Sequence, residues 1–431
     1  MSTEDSANKW RRSVEHAKTE EDNLAFLDNA SSTRVDERVI EAMLPYFRES
    51  YGTAGMELGH SRDVAAMKGL ENARKVIAES INADPLTIVF TSGQTESNNL
   101  AIQGAALANK DHGKHIITSS IEVMSVLQAC KALEKDGFEL DILDVDENGL
   151  VDVGQLKKKI RKDTILVSIQ HANGEIGTVQ PIEEIARMTS ARGVIFHTDA
   201  TQSYLKIPVD IQAVPINLMT MDAHVIHGPK GIGALFVRKG TRVERIMEGG
   251  DEERRLRPGV QNIPGAVGFA EAVKIWGKDE SDNLLSLRHY VEQKMSTTLE
   301  DYRVTGHPVK RLPNLFSMVV EQIEGESMLV ELDMDGYAIS TGSACSSKTL
   351  QGSHVLKAIG LRPEIAHGSV RVSLSRFNTK EQIDGFVEAL VPIVNRLRQF
   401  SPLKRGEYFM AKSEAKHEEQ ESSSDDDQSL G

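Results

Sequence analysis

Short runs of β-branched and apolar residues alternate, up to about residue 262, with longer stretches whose apolar positions recur at helical spacing. The runs fall at residues 87–90, 115–118, 164–168, 193–197, 216–219 and 233–237. Strands separated by helices of this length build a mostly parallel, helix-covered sheet, so the expected fold class is α/β. Such sheets bind ligands beyond the carboxyl ends of their strands. The residues just past the runs are polar or unusual: 92–96, Glu122 with Val123, 173–175, 199–202, and His224 with Val225. These five loops are expected to converge on one pocket.

Past residue 262 the pattern changes to a long helical stretch at 267–299, an apolar run at 315–320, a helix near 327–332 and a run at 337–340. That is the make-up of a smaller α+β domain. The expected organisation is a polar extension over 1–23, a segment over 24–50 packing with the small domain, and a large domain over 51–262. A linking helix and small domain follow over 263–411, then an acidic tail over 412–431. The tail, with Glu418, Glu419, Glu421 and Ser422-Ser-Ser-Asp-Asp-Asp427, has too little apolar content to bury itself and is expected to be disordered. No internal repeat is present.

With 431 residues, 39% hydrophobic and 26% charged, the chain has the composition of a soluble protein. A net charge of -14 argues against nucleic acid or an anionic membrane as partner, because both need clustered positive surface. No apolar run approaches the roughly 18 residues of a membrane span. The first 22 residues mix acidic and basic side chains, which fits neither a secretory signal nor a transit peptide, so a cytoplasmic location is expected. The only cysteines are Cys130 and Cys345, too few for a disulfide framework or a metal site of cysteines alone.

Cys345 lies in Gly342-Ser-Ala-Cys-Ser-Ser347, small and polar enough for an exposed loop whose thiol can enter a pocket and leave it. Cys130, beside Lys131 and Leu133 in a helical pattern, reads as core. Asp199 follows a strand, where a carboxylate serves either as a helix cap or as a functional group. Arg371 suits either a surface ion pair or a two-pronged grip on a ligand carboxylate.

Several segments carry a resemblance when taken in order: Phe26-Leu-Asp-Asn-Ala30, Thr91-Ser-Gly-Gln-Thr-Glu96, His171-Ala-Asn-Gly-Glu175, His197-Thr-Asp-Ala-Thr-Gln202, His227-Gly-Pro-Lys-Gly231 and Gly342-Ser-Ala-Cys345. Over about 24–400 the chain resembles the cysteine desulfurases of the class V aminotransferase family. The resemblance implies a fold type I pyridoxal-phosphate architecture, a homodimer, and removal of sulfur from cysteine as a persulfide. It makes Cys345 the sulfur nucleophile, Asp199 the partner of the pyridine nitrogen and Gln202 that of the ring hydroxyl. Asn173 falls close to ring and substrate, Arg371 on the substrate carboxylate, and Thr95 and His224 on the phosphate.

The departures from the family pattern are equally specific. Val225 stands where the lysine that anchors the cofactor is expected, with the register fixed by His224 before it and Gly228-Pro-Lys-Gly231 after it. Lys230 corresponds to a different lysine. Val123 replaces a histidine that stacks on the ring, Asp222 a serine on the phosphate, and Val260 a threonine reaching the partner subunit's phosphate. Gly174 replaces an asparagine.

The reading drawn from these changes is a desulfurase-like protein of sulfur mobilisation or iron–sulfur cluster assembly, degenerate at the pyridoxal-phosphate site. Cys345 would carry a persulfide or help ligate a shared iron–sulfur cluster on a scaffold protein, with Asp222 as a second oxygen ligand. Two alternatives stand beside it. One is an active desulfurase that holds pyridoxal phosphate through an unconventional anchor, and the other is a non-catalytic subunit paired with an active desulfurase paralogue.

Overall fold

The structure is a computed structural model that describes residues 24–54, 59–342 and 352–401. The segments 1–23 and 412–431, expected as an extension and a disordered tail, lie outside the described residues, as does Cys345.

The chain runs through β1 (Ala25–Phe26), β2 (Ile88–Thr91), β3 (His115–Ser119), β4 (Glu139–Leu143), β5 (Thr164–Ser168), β6 (Ile195–Asp199), β7 (Leu218–Asp222) and β8 (Gly233–Val237). It continues through β9 (Tyr302–Val304), β10 (Leu315–Val320), β11 (Tyr337–Ala338) and β12 (Ser369–Ser373). Seven strands form the main sheet in the order β2-β8-β7-β6-β5-β3-β4. All neighbours in it are parallel except β8, which runs antiparallel to both β2 and β7. The α/β class is thus as expected. Strands β3 and β5 are buried along their whole length, which explains why their apolar residues sit side by side and do not alternate with polar ones.

Helices cover both faces. Ser61–Glu79 and Ile263–Ile275 pack together on one side, where Ala66, Leu70, Ala73 and Ile77 meet Ala266, Phe269 and Ala270 in the largest apolar cluster. Gln94–Asn109 and Met124–Glu134 cover the other side, burying Leu100, Ala105, Val126 and Cys130 in a second cluster. Cys130 is therefore core, and burial drives its thiol far above the usual range.

A three-stranded antiparallel sheet, β12-β10-β9, carries the C-terminal helix Lys380–Phe400, and β1 pairs with β11. Residues 25–30 join this region through β1 and through Asn29 Nδ2, which donates to Ser373 O at 2.8 Å. The helix Glu37–Met43 instead lies on Ile263–Ile275.

The single helix expected over 267–299 is two helices, Ile263–Ile275 and Glu280–Thr298. Trp276 turns extended at φ -61°, ψ 108°, and Gly277 follows it. Glycine carries the highest entropic cost of helix formation apart from proline, and the chain breaks there. Four strands, β1, β4, β9 and β12, were not among the predicted runs. β4 is a sheet-edge strand and only its last residue is buried, so its apolar signal is diluted. Among the described residues no helix is long and apolar enough to cross a membrane.

Candidate functional site

Strands β2, β6 and β7 end at one place, and the helix Gln94–Asn109 begins there. Gly93 at the turn from β2 has φ 142°, a conformation L side chains rarely adopt, and this lets the chain reverse directly into the helix. Gly93 has no side chain to cap the first amides, so a partner from elsewhere must do so.

That partner is Asp222, the last residue of β7 and 3% exposed. Its Oδ2 accepts from Gln94 N at 2.6 Å. Its Oδ1 accepts from His224 N at 3.1 Å and lies 2.6 Å from His224 Nδ1. His224 also presents its carbonyl to Thr33, accepting from Thr33 N at 2.9 Å and Thr33 Oγ1 at 2.8 Å. Thr95, in the first turn, is exposed.

Asp199 ends β6 and is buried. Oδ2 accepts from Gln94 Nε2 at 2.7 Å and Asn98 Nδ2 at 2.8 Å, while Oδ1 accepts from Thr201 N at 2.9 Å. Burial pushes its carboxyl above the ordinary range, and the hydrogen bonds from Asn98, Thr201 and Gln94 pull against that. Gln202 donates from Nε2 to Ala30 O at 2.9 Å, tying the loop after β6 to the N-terminal segment.

Val225 is 1% exposed and belongs to the main apolar cluster. Its carbonyl accepts from Lys206 Nζ at 3.1 Å. Lys206 is itself buried, and desolvation, partly countered by Glu280, brings its amine down from 10.5 to about 8. Val123 precedes the helix Met124–Glu134 as a half-buried residue packed on the second apolar cluster. Val260 is 72% exposed.

The far wall is built by Arg371 on β12. Nη2 reaches Asp28 Oδ1 and Ser31 Oγ, each at 2.6 Å, and Nη1 donates to Gly174 O at 3.1 Å. Asn173 is spent on its own turn: Oδ1 accepts from Glu175 N and Ile176 N at 2.9 Å each, and Nδ2 donates to Ile121 O at 2.9 Å. Glu175 is half-buried, and desolvation of its carboxyl raises it to about 7 against the pull of Ser353 and Arg371. Glu122 is held up to about 8, first by burial and further by Asp199.

The chain leaves and rejoins the described structure, on either side of the Cys345 segment, beside these groups. A Cβ on Gly342 would fall 2.5 Å from Glu175 Oε1, and His354 Nε2 lies 2.9 Å from Glu122 O. The structure thus joins Asp199 and Asp222 through Gln94, sets His224 and Val225 in the turn after Asp222, and places Arg371 against the turn of Asn173 and Gly174. It adds Gln94, Asn98, Lys206, Glu122 and Glu175, none of which carried a role in the sequence. Gln94, Glu122 and Glu175 had a signal there, as members of the predicted pocket loops.

Whether this set fits pyridoxal phosphate can be tested group by group. A carboxylate stands ready for a ring nitrogen at Asp199. No amine stands at 225, and the helix amide suited to a phosphate is taken by Asp222. At these two positions, 225 and Gln94 N, the residues depart from what the phosphorylated cofactor needs.

Among known families, the one described as aminotransferase class-V matches residues 25–386. The chain is 48% identical over 386 residues to "Cysteine desulfurase IscS 1" of Archaeoglobus fulgidus, covering 89% of this chain and 100% of the relative. It is 43% identical over 393 residues to "Cysteine desulfurase IscS" of Methanosarcina thermophila, covering 90% and 96%. A solved structure titled "NIFS-LIKE PROTEIN" superposes with TM-score 0.80 at 33% identity, covering 86% of this chain and 100% of that one. A second, titled "SspA in complex with cysteine", gives TM-score 0.74 at 33% identity, covering 82% and 99%.

Proposed function

The chain belongs to the class V aminotransferase family, and from that premise we propose that it mobilises sulfur as a cysteine-desulfurase-like protein that carries sulfur on Cys345 without a lysine anchor at position 225. The observation that carries the proposal is Val225, a side chain without nitrogen packed into the apolar core where the register of the motif calls for an amine.

The step this leaves is thiol–persulfide exchange. The Cys345 thiolate attacks the terminal sulfur of a donor persulfide, a new S–S bond forms as the old one breaks, and the donor leaves as a thiolate that takes up a proton. No net oxidation occurs and no cofactor is needed. Arg371, held by Asp28 and Ser31, faces the pocket region as a grip for a donor carboxylate. The further proposals are a homodimer, supported by the exposed apolar residues Ile40, Leu44, Phe47, Tyr51 and Val260, and an iron–sulfur scaffold or an active desulfurase paralogue as sulfur partner. Asp222 as an iron ligand finds no support, since both its oxygens are committed to backbone and His224.

A second reading is favoured by the names of the relatives and by Lys206: an active desulfurase whose pyridoxal phosphate is anchored elsewhere. The two separate cleanly. Purified protein is incubated with cysteine and pyridoxal phosphate, or with a small-molecule persulfide alone, and Cys345 is examined by mass spectrometry. The proposal expects a persulfide only in the second case; a persulfide formed from cysteine, with alanine released, establishes the second reading instead.

A further inference from the structure

The pocket holds an anion of its own. A helix N-terminus presents free amides and the positive end of the backbone dipoles, which is why phosphates so often bind there. In this chain the first amide of Gln94–Asn109 already donates to the Asp222 carboxylate at 2.6 Å, across 128 residues of sequence. The carboxylate lies tight against the turn, for a Cβ on Gly93 would come within 2.9 Å of Asp222 Oδ2. It is held from the other side by His224, through N at 3.1 Å and Nδ1 at 2.6 Å. At the opposite end, Gln94 extends its side chain to Asp199 Oδ2 at 2.7 Å and covers an oxygen of the one carboxylate suited to a pyridine nitrogen.

We propose that Asp222 and Gln94 close the former cofactor pocket from within, with the Asp222 carboxylate serving as a built-in substitute for the cofactor's phosphate, so that the pocket discriminates against phosphorylated pyridine ligands. A phosphate carries about -1.5 to -2 charge near neutral pH, so it must both displace Asp222 from the helix amide and tolerate its charge nearby. Two anions competing for one set of donors are unfavourable at any effective dielectric. The inference deepens the reading above and takes its biological meaning from it, yet it concerns binding and not the anchor.

Pyridoxamine phosphate and pyridoxamine are the appropriate probes, because neither bears an aldehyde and lysine chemistry cannot contribute. Binding of each to the full chain is measured by titration calorimetry for the native protein and for Asp222→Ser, Asp222→Asn and Gln94→Ala. The native protein is expected to bind the two ligands alike. Asp222→Ser should raise the preference for the phosphorylated ligand by about tenfold, the scale of one charge-assisted hydrogen bond. Asp222→Asn, which keeps an acceptor for Gln94 N but removes the charge, should fall between, and Gln94→Ala should tighten both ligands together. The ratio of the two affinities within each variant is unaffected by any fraction of misfolded protein.

A native preference of tenfold or more for the phosphorylated ligand overturns the inference, and so does an unchanged ratio in both Asp222 variants. Neither result bears on the proposed function, which fails instead if cysteine with pyridoxal phosphate charges Cys345.

Discussion

Replacing Lys206 with methionine should stabilise the protein at neutral pH and lose that advantage in strong base. Lys206 is 5% exposed, and its ammonium has a single hydrogen-bond partner among the described residues, the Val225 carbonyl at 3.1 Å. Desolvation lowers the amine from 10.5 to about 8, with Glu280 offsetting part of the fall. A change of that size corresponds to roughly 3 kcal/mol of penalty for the charged form, of which the lost hydrogen bond returns about 1 when the amine is removed. Methionine fills a similar volume without a charge, leaving a net gain of about 2 kcal/mol. Between about pH 8 and 10.5 the unfolded chain binds more protons at this site than the folded one, so native stability rises across that window. The penalty is present in full below about 8 and absent above 10.5, and the variant's advantage follows the same course. Urea unfolding followed by circular dichroism, at several pH values from neutral to strongly basic, measures it. Equal midpoints at neutral pH, or a gain that persists undiminished in base, would refute the argument. The same lysine is the amine nearest Val225 among those described here, so the pH dependence also tests the group on which the second reading leans.

Three other outcomes follow from buried charges and from the pocket wall. Glu253→Ala should cost about 2–3 kcal/mol in urea unfolding, because the buried Arg74 loses charged contacts of 2.6 and 2.8 Å and keeps only Glu71 at 3.1 Å as a counter-charge, whereas Arg74→Met with Glu253→Leu should recover part of that loss. Glu122→Gln should flatten the pH dependence of stability: a carboxyl held at about 8 in the fold contributes fully below 4.5 and loses its contribution as pH rises through about 8, so the native midpoint falls across that range and the variant's does not. Arg371→Ala should slow sulfur transfer to Cys345 from a carboxylate-bearing persulfide donor, read by mass spectrometry, by about tenfold or more, since it removes the guanidinium and frees Asp28 to repel the donor carboxylate.

Much of the site could be read from strand–loop alternation alone. Asp199 and Asp222 sit at the carboxyl ends of parallel neighbours, each closing a strand predicted from its apolar run. The register around Val225 was equally plain, since the flanking motif is intact. Gln94 lay in a predicted pocket loop, but its bond to Asp199 was not legible, because it reaches from the helix start to the end of another strand, a distance no local pattern encodes. Nor was Lys206, which looks like an ordinary surface lysine until the turn after Gln202 folds it beneath the Val225 carbonyl. The same limit explains β4, whose half-exposed edge position dilutes its apolar signal, and the helix break at Gly277, where one residue outweighed a long amphipathic pattern.

The absence of an imine-forming anchor at position 225 is tested most directly by incubating the full chain with pyridoxal phosphate, trapping with borohydride, and mapping adducts by intact and peptide mass spectrometry. The account predicts no stoichiometric pyridoxyl adduct on any single lysine. One complete adduct on a single lysine, Lys206 above all, would contradict it and restore an active, differently anchored desulfurase.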